Sequence, residues 1–124
     1  MTPRRRLDVQ VKRVYDEVSP DDGTRVLVDR LWPRGLSKDK ARLDAWDKEI
    51  APSNELRRWY DHDPERFEEF AERYRHELAD EERSTELDRL QTLAHEGRLT
   101  LLTATKDLPH GHVRVLVAAL ESKG

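Results

Sequence analysis

Residues 84–120, STELDRLQTLAHEGRLTLLTATKDLPHGHVRVLVAAL, decide the fold class. Leu87, Leu90, Leu93 and Ala94 recur at helical spacing from a start near Ser84, and Gly97 stands where a helix C-terminus favours glycine. One residue later, residues 99–103 (LTLLT) read as a buried strand, and a loop over 104–111 follows. Residues 112–120 (HVRVLVAAL) put Val113, Leu116, Val117 and Leu120 on one helical face and Val115, Ala118 and Ala119 on another. A well-buried helix is expected there, although a β-branched run of this kind also suits a strand. Helix, strand, loop and helix in so short a span is the grammar of an α/β fold.

Upstream, Val9, Val11 and Val14 are spaced as an extended segment, and residues 25–29 (RVLVD) form a short β-branched run. The intervening residues 16–24 contain Ser19-Pro20 and the turn pair Asp22-Gly23. Such a connection is short for a parallel crossover, so an antiparallel pair is expected. Residues 31–36 (LWPRGL) break regular structure, and residues 43–50 (LDAWDKEI) read as a third strand or an extended connector. Ala51-Pro52-Ser53 introduces a short helix with Leu56, Trp59 and Tyr60 inward. Asp63 caps the next, with Pro64 at its first position and Phe67, Phe70, Ala71, Tyr74 and Leu78 as its buried stripe. The expectation is a small central sheet of about four strands, mostly parallel or mixed, flanked by helices. No repeat or linker divides residues 1–124, so one domain is expected, with residues 1–6 as a flexible basic arm.

The chain has 124 residues, 35% apolar and 40% charged, with a mean hydropathy of -0.95. No apolar run approaches the roughly 20 residues of a membrane helix, and MTPRRRLD lacks the apolar stretch of an export signal. Without cysteine, disulfides, thiolate metal sites and cysteine nucleophiles are excluded, and a reducing cytoplasm is the expected compartment. The net charge of -3 is unevenly spread: residues 1–43 carry +4, residues 44–98 carry -8 and residues 99–124 carry +1. The acidic middle reads as solvated helix faces, and the basic excess points to the ends.

Two strand ends hold dense functionality. Residues 28–35 (VDRLWPRG) supply Asp29, Arg30, Trp32 and Arg34; residues 103–112 (TATKDLPHGH) supply Lys106, His110 and His112 at the start of a helix. In open α/β sheets, ligands bind beyond the carboxyl ends of the strands. If the two strands are neighbours pointing the same way, Arg30, Arg34 and Lys106 meet the positive end of the last helix, a setting for a phosphate or carboxylate. Each residue also has a plainer reading: Asp29 and Arg30 as an ion pair, Trp32 as a lid on the core, His112 as a helix cap. His110 and His112 lack a third ligand at fixed spacing, so no metal is expected. Glu65, Glu68, Glu69, Glu72 and His76 share one helix with Arg66, Arg73 and Arg75, which favours charge pairing over a carboxylate metal site. GxGxxG, GxxxxGK and GxSxG motifs are absent, and no cofactor is expected.

Taken together, Val11-Lys12-Arg13-Val14-Tyr15, Asp22-Gly23 leading into RVLVDRLWPRG (25–35), Trp46, Ala51-Pro52-Ser53, Glu55-Leu56-Arg57, Leu101-Leu102, Lys106 and His112 resemble the YeaO-like family, a domain of unknown function (number 488) in bacteria and archaea. The resemblance spans nearly the whole chain and implies no established activity. It also implies that longer relatives often carry cysteines near positions where this chain has Thr103 and Gly111, so a thiol mechanism cannot operate here. What the resemblance leaves is a candidate pocket of Arg13, Asp29, Arg30, Trp32, Arg34, Lys106 and His112.

The reading adopted is a cationic crevice for a small anionic ligand. Arg30, Arg34 and Lys106 hold the anion with Arg13 and Trp32 alongside, Asp29 orients a guanidinium or acts as base, and His112 transfers protons if hydrolysis or group transfer occurs. The rival is a nucleic-acid-binding or regulatory module using Arg4, Arg5, Arg6, Lys12, Arg13 and Arg34, which the pI near 6.0 disfavours. A third reading is a homodimer whose interface uses Trp32, Trp59 and Tyr60, if these are exposed together.

Overall fold

The computed structural model describes residues 7–123. Four strands, β1 (Val9–Arg13), β2 (Thr24–Leu27), β3 (Ala45–Trp46) and β4 (Leu99–Thr103), form one sheet in the order β1-β4-β2-β3, and every ladder is parallel. Among the described residues, five α-helices accompany the sheet: α1 (Lys38–Ala41), α2 (Asn54–Tyr60), α3 (Phe67–Leu78), α4 (Glu81–Glu96) and α5 (His112–Lys123). All five residues of β4 are buried, as a strand paired on both sides and covered on both faces requires.

The expected antiparallel pairing of the first two strands is not what forms. β4 inserts between β1 and β2, pairing Arg13 with Thr103 on one side and Val26 with Leu101 on the other. The ten residues joining β1 to β2 span up to about 33 Å when extended. Running back about 17 Å along the sheet and about 10 Å across one strand is within that reach, so the crossover needs no helix.

The two faces of the sheet are covered differently. Val9 and Val11 on β1, Val26 on β2, and Leu99 and Leu101 on β4 pack against Phe70 and Tyr74 of α3, Leu87 and Leu90 of α4, and Leu116 and Leu120 of α5. On the other face, Val14, Leu27 and Leu102 meet Trp32, Leu36, Leu43 and Ala104. The stripe foreseen on α3 is buried throughout. α4 begins a turn before Ser84 because Asp80 accepts the Arg83 N–H at 2.8 Å and Glu81 and Glu82 suit the helix's positive end. Its Leu93 is only half-buried. Pro64 opens a 3-10 turn, Pro64–Arg66, that leads into α3. The 43–50 segment keeps only two residues in the sheet before a 3-10 turn, Lys48–Ile50.

The second face is also where the fold buries charge. Asp22 accepts from Gln10 at 3.1 Å, Lys12 at 3.0 Å, the Ser19 N–H at 3.0 Å and Arg25 at 2.5 Å, while its carbonyl accepts from Thr100 at 2.6 Å. Arg25, equally buried, donates to the carbonyls of Ala41 and Arg42 and so ties α1 to the sheet. Burial alone would raise the Asp22 carboxyl; the Ser19 N–H, Lys12 and Arg25 outweigh it and hold the pKa at about 2. Gly23 completes the turn with φ 66°, and a side chain there would drive a Cβ to 2.3 Å from the Arg98 carbonyl. Asp47 is the opposite case. One of its oxygens caps Ile50, the other is buried without a partner, and burial together with Glu86 pushes its pKa up to about 6.

Two predictions follow from these carboxylates, with opposite signs. Asp22→Asn strands Arg25 among buried groups and is expected to lower the unfolding free energy in urea by about 3–5 kcal/mol at pH 7. Because the folded pKa lies below the unfolded 3.8, the stabilisation from Asp22 is complete above pH 4 and is lost as pH falls toward 2. Asp47→Asn is expected to raise stability at pH 7 by on the order of 1–2 kcal/mol. With a folded pKa raised above the unfolded one, wild-type stability falls as pH rises from about 4 through about 6, so the benefit of Asp47→Asn disappears near pH 4.

Candidate functional site

A parallel sheet directs all its carboxyl ends to one edge, and there the structure opens a cleft of about 820 Å³. The strand ends contribute Asp29, Ala104 and Thr105, and the start of α5 contributes Gly111 and His112. The segment after β2 supplies one wall with Arg30, Leu31, Trp32, Pro33 and Arg34, joined by Tyr15. α2 and its approach supply the other with Pro52, Asn54, Arg57, Arg58, Asp61 and His62.

Asp29 is held from the neighbouring strand end. The Thr103 hydroxyl donates to Oδ1 at 2.7 Å and the Ala104 N–H donates to Oδ2 at 2.8 Å. The carboxylate thus bridges the ends of β2 and β4 and fixes where the 104–111 loop departs. His112 Nε2 lies 2.9 Å from the Val28 carbonyl and 3.5 Å from Asp29 Oδ1. A carbonyl only accepts, so Nε2 carries the proton and donates it to Val28. Burial drives the His112 pKa below its ordinary value, against the pull of Asp29 and the Val28 carbonyl, and Arg57 adds to the lowering. Asp29 and His112 therefore meet at the cleft, both already engaged in organising it.

Residues 50–53 form the hinge on which the opposite wall is mounted. Tyr74 donates to the Ile50 carbonyl at 2.6 Å, Arg83 to Ala51 at 3.1 Å, and Arg30 to both Ala51 and Pro52 at 3.3 Å. Glu77 accepts from the Ser53 N–H at 2.9 Å and from its hydroxyl at 2.5 Å, while Ser53 Oγ accepts the Leu56 N–H as the cap of α2. Arg30 thus spends its guanidinium on carbonyls, with no ion pair to Asp29. At the far end of α2, Tyr60 donates to the His110 carbonyl at 2.5 Å, joining this wall to the 104–111 loop. Asp61 and His62 then turn the chain with successive positive φ values of 47° and 53°.

The remaining residues named from the sequence fall on both sides of the cleft boundary. Arg34 lines the cleft and is exposed. Trp32 lines it while donating to the Leu36 carbonyl at 2.7 Å and meeting Trp46 edge-on at 5.4 Å, so it closes the smaller core cluster as well. Arg13 and Lys106 do not line the cleft. Arg13 donates to the Ala104 carbonyl at 3.2 Å and sits 5.2 Å from the centre of the Tyr15 ring. Lys106 is exposed. His110 pairs with Asp107 at 2.8 Å. Of the cations named for nucleic-acid contact, Arg4, Arg5 and Arg6 lie outside the described residues, and Lys12 is committed to Asp22. Tyr60 is buried and Trp59 and Trp32 are half-buried, so the aromatic surface a homodimer would use is not exposed together.

Sequence reasoning missed Tyr15, Asn54, Arg57, Arg58, Asp61 and His62 as site residues. A signal for two of them existed. With Leu56, Trp59 and Tyr60 inward, Arg57 and Arg58 must face away from the core, and a pair of arginines beside Ala51-Pro52-Ser53 is a local concentration of positive charge. Which loops that charge would face was not readable without strand order.

The comparisons with known proteins give a consistent picture. A family model described as "Inactive DUF488-N3 subclade" matches residues 8–123. An uncharacterized protein of Mycobacterium tuberculosis H37Rv is 49% identical over 115 residues, covering 93% of this chain and 95% of its own. The uncharacterized protein YeaO of Escherichia coli K12 is 45% identical over 116 residues, covering 94% and 99%. No solved structure matches the chain significantly.

The His112 geometry generates a prediction of its own. Nitrogen-15 NMR of the imidazole is expected to show the Nε2-protonated neutral tautomer still dominant at pH 6.5. The folded pKa lies below the unfolded 6.5, so protonation favours unfolding and stability from this residue declines as pH falls below about 6.5. An imidazole half-protonated at or above pH 6.5 would contradict the arrangement.

Proposed function

The chain belongs to the inactive DUF488-N3 subclade, and from that premise we propose that it is a binding protein whose cationic cleft holds a small phosphate- or carboxylate-bearing ligand without chemically transforming it. The observation that carries this reading is the cleft's unspent charge. Arg34, Arg57 and Arg58 line it beside Arg30, whose guanidinium the carbonyls of Ala51 and Pro52 already hold, and among the described residues none of the four forms an ion pair with a carboxylate. Guanidinium groups in a concave site, left without carboxylate partners, are suited to bidentate recognition of phosphate and carboxylate.

The absence of turnover is supported by what the polar groups at the strand ends already do. The family description is of an inactive subclade, and this chain has no cysteine to act as nucleophile. Thr103, at the end of β4, is fully buried and donates its hydroxyl to Asp29, whose second oxygen is taken by the Ala104 N–H. A base with both oxygens engaged and a histidine whose Nε2–H is given to a backbone carbonyl make a braced frame more than a proton relay.

Phosphate, pyrophosphate and citrate are expected to raise the melting temperature of the protein by mass action, and Arg34→Ala and Arg57→Ala/Arg58→Ala are expected to reduce that rise at least by half. The same preparation should release no product from p-nitrophenyl phosphate or p-nitrophenyl acetate. An unchanged melting temperature with every anion, or an equal rise in the arginine variants, refutes the binding reading; steady product release abolished by Arg34→Ala refutes the non-catalytic one.

A further inference from the structure

The cleft is much larger than a bare anion requires. At about 820 Å³ it lies in the range of sites that enclose whole organic ligands. Its charge is accompanied at the mouth by apolar surface: Leu31 is 63% exposed and Tyr15 is 45% exposed, two of the three large hydrophobic side chains left in solvent among the described residues. Tyr15 is exposed and yet anchored. Its hydroxyl donates to the Arg34 carbonyl at 2.9 Å, and the Arg13 guanidinium sits 5.2 Å from its ring centre. Arg13 is in turn tied to the Ala104 carbonyl. An exposed aromatic ring held at its hydroxyl and backed by a cation has little freedom to lose when a second flat group stacks on it.

From this juxtaposition we propose that the ligand is a nucleoside monophosphate, its phosphate held by the cleft arginines and its base stacked on Tyr15 beside Leu31. The proposal rests on the anion reading of the cleft and adds the aromatic half of the ligand. It also gives Arg13 a place: outside the cleft lining, Arg13 is a positioning residue that presents the Tyr15 ring. Stacking on one aromatic side chain tolerates every base, so discrimination among bases is expected to be weak.

Titration calorimetry with AMP, ribose 5-phosphate and pyrophosphate tests it. AMP is expected to bind about tenfold more tightly than ribose 5-phosphate, in keeping with one base–aromatic stack. Tyr15→Ala should erase that difference, read as the ratio of AMP to ribose 5-phosphate affinity so that any slackening of Arg34 cancels, and Tyr15→Phe, which keeps the ring but loses the tether to the Arg34 carbonyl, should retain most of it. Tyr15 is surface-exposed, so neither variant endangers the fold. A 5′-phosphorylated trinucleotide that binds like AMP assigns the ligand to a strand end, and one that fails to bind assigns it to the free nucleotide. If pyrophosphate or ribose 5-phosphate binds as tightly as AMP, or if Tyr15→Ala keeps the AMP preference, the nucleotide proposal is overturned while the anion reading stands. If none of the three binds, both are overturned.

Discussion

The structure depends on β4. A strand whose five residues are all buried must satisfy its backbone on both edges and cover both faces, and here it does so with parallel partners only. Parallel pairing has two consequences that run through the whole molecule. Every strand delivers its carboxyl end to the same edge, so the segments after β2 and β4 are forced together as one cleft. Every connection must also return the length of the sheet, which sends α2, α3 and α4 over one face between β3 and β4 and leaves the other face to the β1–β2 crossover and α1.

That unequal covering explains where charge is buried. The helix-covered face is filled by apolar side chains, whereas the crossover face is sealed by a short segment that brings its own polar backbone. Asp22 resolves this by gathering Gln10, Lys12, Ser19 and Arg25, and Arg25 extends the network to the carbonyls at the end of α1. The cleft uses the same device. Carbonyls of residues 50–52 are gripped by Tyr74, Arg83 and Arg30, and Ser53 by Glu77, so the start of α2 is fixed by side chains from three other segments. Groups that look chemically active in isolation, Asp29 and Arg30 above all, are thereby occupied in holding the walls, whereas Arg34, Arg57 and Arg58 line the cleft without gripping another segment with their side chains.

Much of the fold was legible because periodicity is local. Leu87, Leu90 and Ala94 are buried on α4, the Phe67-to-Leu78 stripe is buried on α3, and the LTLLT and HVRVLVAAL segments are the strand and helix their patterns announce. The alternation Val9-Gln10-Val11-Lys12 even separates the two faces of β1, valines toward the helices and polar residues toward Asp22. Ser84 and Asp80 are both capping residues, so the local pattern leaves two possible starts for α4, and the two glutamates after Asp80 tip the choice to the earlier one. The two strand-end loops were legible as places where functional groups concentrate, and the structure brings 29–34 and 104–112 to one cleft. Lys106 entered the same set through its place after a strand end and Arg13 through the family resemblance, and neither says on which side of the sheet edge a side chain will lie.

By itself, the sequence determined the α/β class, the helices and strands with strong patterns, the family, and the lack of any thiol chemistry, because each rests on residues adjacent in the chain. Only the tertiary structure decided the strand order, the all-parallel ladders, the buried role of Asp22 and the membership of the cleft. Those follow from β4, separated from β2 by the 71 residues 28–98, sliding between β1 and β2. The ten residues from 14 to 23 are compatible with a hairpin or a crossover, and the choice between them is made by the burial that only a doubly paired LTLLT strand can achieve.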